Sequence, residues 1–185
     1  MKDSKSHLSK ESIDRITPAV ANFYLSEGNE MLRNTVTVGN HITERAYILL
    51  TAMVTVMTGF GWVLSGDRGW LHLSCSAIGL IASLTVIAIL ISKVITIHTI
   101  CVPGQTPSGF KIDKFMDYYR QTGTDGGRMY VDLVVGHLDN VETAIQHNLN
   151  DIKQRTLWYG RCLYIILCSS IAISFLLLLS GLIQA

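Results

Sequence analysis

The stretch from residue 138 to residue 181, LDNVETAIQHNLNDIKQRTLWYGRCLYIILCSSIAISFLLLLSG, passes from a water-soluble pattern to a membrane pattern with no proline and only Gly160 between the two. On its soluble side Val131, Val134, Leu138, Val141, Ile145, Leu149 and Ile152 recur at spacings of three or four, which lays them along one face of a helix. Asp139, Glu142, Gln146, Asn150 and Lys153 take the other faces. On the membrane side residues 162–183 carry no charge. The residues at the join, Trp158, Tyr159 and Arg161, are those that settle at lipid headgroups, and a lone glycine costs a helix only about 1 kcal/mol relative to alanine. The pattern predicts one helix from Arg128 to Ile183, of order 80 Å by the rise per residue.

Working outward from that join, two more apolar runs meet the roughly 20 residues that a helix needs to cross a hydrocarbon core: residues 47–64, YILLTAMVTVMTGFGWVL, and residues 69–92, GWLHLSCSAIGLIASLTVIAILIS. Only SGDRG separates them, and its Ser65, Gly66, Asp67 and Gly69 are turn formers, so an antiparallel hairpin is expected, with Trp62 and Trp70 at the interface. Basic residues cluster before the first span (Lys2, Lys5, Lys10, Arg15, Arg33, Arg45) and between the second and third (Lys93 through Arg161), whereas Arg68 alone falls in the hairpin turn. The positive-inside rule then predicts a membrane protein with its N-terminus and the 93–161 region inside and its C-terminus outside. Four segments follow: 1–46, a cytoplasmic helical segment; 47–92, the transmembrane hairpin; 93–161, a cytoplasmic helical region; and 162–183, the third transmembrane helix. The fold class is an all-α membrane protein.

The N-terminal segment reads as helix from Ile13, Ile16, Val20, Phe23, Met31 and Ile42, with an interruption expected at Pro18 and loosening near Gly28 and Gly39. Beyond the second span apolar character persists to Pro103 and Gly104, where the helix should end. PGQTPSGF is a loop, KIDKFMDYYRQTG a short helix candidate and TGTDGG a second break.

Chemistry is conspicuous mainly by the motifs it lacks. The six histidines form no HxxxH or HExxH pair, the four cysteines form no CxxC, and no phosphate-cradling glycine loop or nucleophile elbow occurs. No catalytic residue, metal ligand or cofactor is predicted, and the net charge of +1 gives no footprint for direct nucleic-acid binding. The span interiors hold no Asp, Glu, Lys or Arg, which argues against a proton relay. They hold small residues instead, at the spacing that lets helices approach closely: Thr55 and Gly59 on the first span, Cys75, Gly79 and Ser83 on the second, Ser170 and Ser174 on the third. These residues can serve packing within one chain or between subunits, and the Val131–Ile152 stripe has the same two options. Arg45, Lys93, Trp158, Tyr159 and Arg161 mark the cytoplasmic interface.

This layout resembles the small effectors of prokaryotic antiviral operons, the SLATT and Pycsar transmembrane families. ITERAYILLTA, residues 42–52, is similar to their basic-Ala-x-x-Leu-Leu pattern at the edge of the first span, with Arg45, Ala46, Leu49 and Leu50 on it and Thr43 where an aspartate is common. ETAIQHNLNDIKQRTLWYG, residues 142–160, is similar to the A-I-x-x-N…K helix leading into their last span. A third span departs from the two-span members. The resemblance implies a homo-oligomer that stays quiet until a soluble defence enzyme, a nucleotide signal or infection triggers it, and that then perturbs the membrane as a pore or otherwise. Two other readings stay open at this point: a membrane anchor or regulatory subunit that recruits a soluble enzyme, and a constitutive small channel.

Overall fold

The structure is a computed structural model that describes residues 16–65, 69–96, 100–102, 117, 119–121, 123 and 126–184, with side chains described as far as 179. Three helices account for nearly all of it: α1, Pro18–Leu64; α2, Trp70–Ile89, which continues as a π-helical turn over Leu90–Ile95; and α3, Gly126–Gln184. No strand occurs among the described residues. The hairpin turn at Gly66, Asp67 and Arg68, the loop from Pro103 and the helix candidate through Met116 lie outside the described residues, as do the first fifteen.

Helix α1 begins at Pro18, and Ile16 and Thr17 before it are not helical, as the interruption expected at this proline implies. A helix start leaves its first amides without helical partners, so proline loses nothing there, and its fixed φ suits the first turn. Thr17 caps the end: its Oγ1 accepts from the Val20 amide at 3.4 Å and its carbonyl from the Ala21 amide at 2.9 Å. The helix also runs unbroken through Gly28 and Gly39, where loosening was expected. Gly28 is a contact point, since a Cβ there would stand 3.2 Å from Val141 Cγ1. The second helix stops earlier than its apolar run implies. Its last turn widens to π geometry and closes at Thr96, whose amide donates to the Ile91 carbonyl at 3.0 Å.

The chain divides into two compact units, and α1 and α3 each contribute to both. The first unit takes residues 1–37 and 100–150. Its core is Leu32, Val141 and Ile145, flanked by Leu25 and Ala144. The second takes residues 38–99 and 151–185, with a core of Ala46, Met53, Val86, Leu90, Val94 and Cys162 drawn from all three helices. Ala46, Leu49 and Leu50 of the RAYILL segment pack in this core, while Arg45 is exposed.

All three helices are long and apolar enough to cross a membrane. Ile48, Ile81, Phe175 and Leu178 are each at least 60% exposed, an apolar surface that water would not tolerate and lipid would. Hydroxyls along the spans turn inward to their own helices: Thr51, Thr55, Thr58, Ser83, Thr85 and Ser170 each donate to the carbonyl four residues back. Backbone and side chain are thereby satisfied without water.

Candidate functional site

Among the described residues the largest fully buried side chain is charged. Arg155, on α3, is 2% exposed, and an arginine does not shed its proton to escape burial. Its guanidinium is held from three directions within the second unit. Nε donates to the Val94 carbonyl at 3.0 Å, one terminal nitrogen donates to the Thr43 hydroxyl, and the other lies 3.6 Å from Asp151 Oδ2, one turn back. The π-helical turn is what makes the first of these available, because carbonyls in a helix's last turn lack helical donors. Thr43 contributes a neutral hydroxyl to this node, and Glu44 beside it is exposed and pairs with His41 at 3.1 Å.

A second polar node sits in the first unit. Asn148 is 3% exposed and its side-chain amide is bonded on both sides: Oδ1 accepts from the Cys101 amide at 3.0 Å, while Nδ2 donates to the Cys101 carbonyl at 2.9 Å and to Thr35 Oγ1 at 3.0 Å. It thus pairs with the N–H and the C=O of one residue much as a strand neighbour would, and pins the segment after α2 to α1 and α3. Asn148→Ala removes the side-chain partners of the Cys101 N–H and carbonyl, while Thr35 keeps its bond to the Leu32 carbonyl, so a loss of about 2 kcal/mol in unfolding free energy is expected from chemical denaturation of the solubilised protein.

These nodes correct the stripe read from spacing. Val131, Val134, Val141 and Ile145 are buried and Leu138 and Ile152 half-buried, but Leu149 is 39% exposed and Asn148 takes the inward place. The inward face continues as Ile145, Asn148, Ile152, Arg155, Tyr159 and Cys162, a three-and-four alternation that includes two polar residues.

The small residues divide sharply. Cys75, Gly79 and Ser83 are buried on α2, and the Phe60 ring fills the space beside Gly79. Thr55, Gly59, Ser170 and Ser174 are exposed, and a Cβ on Gly59 would meet nothing within 4 Å. The interfacial group does come together. Lys93 Nζ lies 5.9 Å and the Arg161 guanidinium 4.2 Å from the Trp158 ring, which packs with Tyr159 against the core of the second unit. Arg45 makes no such contact and stands exposed.

The first unit also has a cleft of about 750 Å³, with Val20, Met31, Val135 and Ile145 among its apolar walls and Glu27, Asp139 and Glu142 as its charged groups. Among the described residues neither lysine nor arginine lines it. Among the described residues no three His, Cys, Asp or Glu side chains are grouped as a metal would require.

Comparison with protein families, with curated proteins and with solved structures finds no match. The candidate site therefore rests on its own chemistry: two buried polar nodes on α3, one in each unit, and a cationic group around Trp158.

Proposed function

We propose that the protein is a homo-oligomeric inner-membrane effector of a prokaryotic antiphage defence system, which permeabilises the membrane when triggered. In this reading the N-terminus and residues 93–161 are cytoplasmic, the C-terminus is outside, and no reaction is catalysed. The observation that supports it is α3, one helix from Gly126 to Gln184 that bears both the buried stripe of the first unit and the last apolar span. A change in packing at residues 131–152 can pass along it as tilt or rotation. The trigger is better matched by a protein than by a nucleotide, because Glu27, Asp139 and Glu142 in the cleft would repel phosphate.

The test is dye entry and loss of membrane potential in cells expressing the protein with its genomic neighbours during phage challenge. Both are expected on triggering and neither before it. An intact potential under a verified trigger overturns the effector reading, and leak without a trigger points to a constitutive channel. The cleft favours one alternative, a membrane anchor that recruits a soluble enzyme to the first unit; co-purification of that enzyme with an unchanged potential would establish it. A reporter fused to the C-terminus that behaves as cytoplasmic would overturn the orientation.

Gly160 tests transmission along α3 directly. A Cβ there meets nothing within 4 Å, so Gly160→Ala should keep full activity and add helix propensity of about 1 kcal/mol. Gly160→Pro removes a helical hydrogen bond, costs about 3 kcal/mol or more, and should abolish triggered dye entry while the protein still inserts. Full activity in both variants would show that α3 does not transmit the trigger.

A further inference from the structure

Among the described residues no carboxylate pairs with the cations around Trp158. In the second unit the carboxylates among the described residues are Glu44, paired with His41, and Asp151, paired with Arg155. Arg45, Lys93, Lys153 and Arg161 are all exposed and have no carboxylate partner among the described residues. Two of them, Lys93 from the π-helical turn and Arg161 from α3, converge on a single indole although like charges repel. The ring itself is fixed, because Trp158 packs against the buried core of Ala46, Val86, Leu90, Val94 and Cys162. The result is two cations on one indole, one a compact ammonium and one a planar fork, both groups suited to phosphate, at the start of an apolar span.

We propose that Lys93 and Arg161 bind the phosphate of an anionic glycerophospholipid, with Trp158 as the ring against which the headgroup seats. The proposal rests on the reading of α1, α2 and α3 as membrane spans. Lipid is favoured over a soluble phosphate because the exposed apolar residues Leu163 and Tyr164, just beyond Arg161, offer acyl chains a surface beside the cations.

Trp158 can report on its own site. Trp62→Phe with Trp70→Phe leaves it as the sole tryptophan, and the full-length protein is placed in phosphatidylcholine vesicles containing a minor fraction of brominated phosphatidylglycerol or, separately, brominated phosphatidylcholine. Quenching of Trp158 should show a preference for phosphatidylglycerol on the order of tenfold. Lys93→Gln with Arg161→Gln should bring the ratio close to one, and Arg45→Gln with Lys153→Gln should leave it within about twofold of the parent. Equal quenching by the two lipids in the parent overturns the site while leaving the membrane reading intact. Equal losses in the two double variants also overturn it, since diffuse positive charge would then account for the preference. Abolition of the preference by excess inorganic phosphate would assign the cations to a soluble anion and overturn the lipid. Quenching by neither lipid would remove this part of α3 from the membrane, and the membrane reading would fail first.

Discussion

Replacing Arg155 by methionine should lower the unfolding free energy of the solubilised protein by about 3 kcal/mol, a loss to be read by denaturant titration followed through helical circular dichroism. The estimate follows from what is left behind. The Val94 carbonyl and the Thr43 hydroxyl lose a charged donor each, and Asp151, at 17% side-chain exposure, keeps some access to water and so limits the loss. Lysine should recover less than half of it, because one ammonium cannot reproduce the planar fork whose Nε and terminal nitrogens point to different helices. Thr43→Asp is the informative counterpart. It places a carboxylate on the guanidinium and should hold or raise stability in the parent, yet lower it by about 2 kcal/mol when combined with Arg155→Met, where the new charge is left half-buried without its partner. Unchanged stability in Arg155→Met would show that the node holds nothing together.

Gly79→Val should cost about 3 kcal/mol, and the damage should be confined to the second unit. A Cβ at residue 79 would stand 2.3 Å from Phe60 Cε2, so even alanine requires the ring to swing away, and the branched chain of valine needs the helices to part. Phe60→Ala combined with Gly79→Ala should restore most of what Gly79→Ala loses, a coupling that a double-mutant cycle reads directly. Gly59 is the control on the other helix of the pair: Gly59→Ala meets nothing within 4 Å and should be neutral in monomer stability. Gly59→Leu then separates two roles that spacing alone leaves together. Loss of an oligomer on crosslinking, with unchanged monomer stability, would place subunit packing on the exposed Thr55–Gly59 face; no change in either would remove that face from the oligomer.

Three long helices could be read from charge-free runs because a membrane span is a property of length and composition, which a sequence carries openly. The start of α1 depends instead on a single side chain. Pro18 breaks a helix interior but suits a first turn, and only the Thr17 cap decides which of the two it is. The polar nodes were partly legible. A three-and-four alternation carried past Ile145 reaches Asn148 and Arg155 before it returns to Cys162, and choosing apolar Leu149 over Asn148 hid both. What no spacing could supply were the partners. Thr43 lies 112 residues from Arg155 and Thr35 lies 113 from Asn148, and the π-helical turn that presents the Val94 carbonyl has no signature in LISKVI.

The Arg155 node also has an order in time. Val94 precedes Arg155 by 61 residues and Thr43 precedes it by 112, so both acceptors leave the ribosome before their donor exists. At about 5–20 residues per second the hairpin waits roughly 3–12 s between synthesis of its last acceptor and arrival of the arginine. During that interval α1 and α2 are an incomplete pair with an open polar seam, and α3 completes them on arrival. A chain truncated before Arg155 should accordingly be recognised by membrane proteases as unfinished, although both helices of its hairpin are already in place.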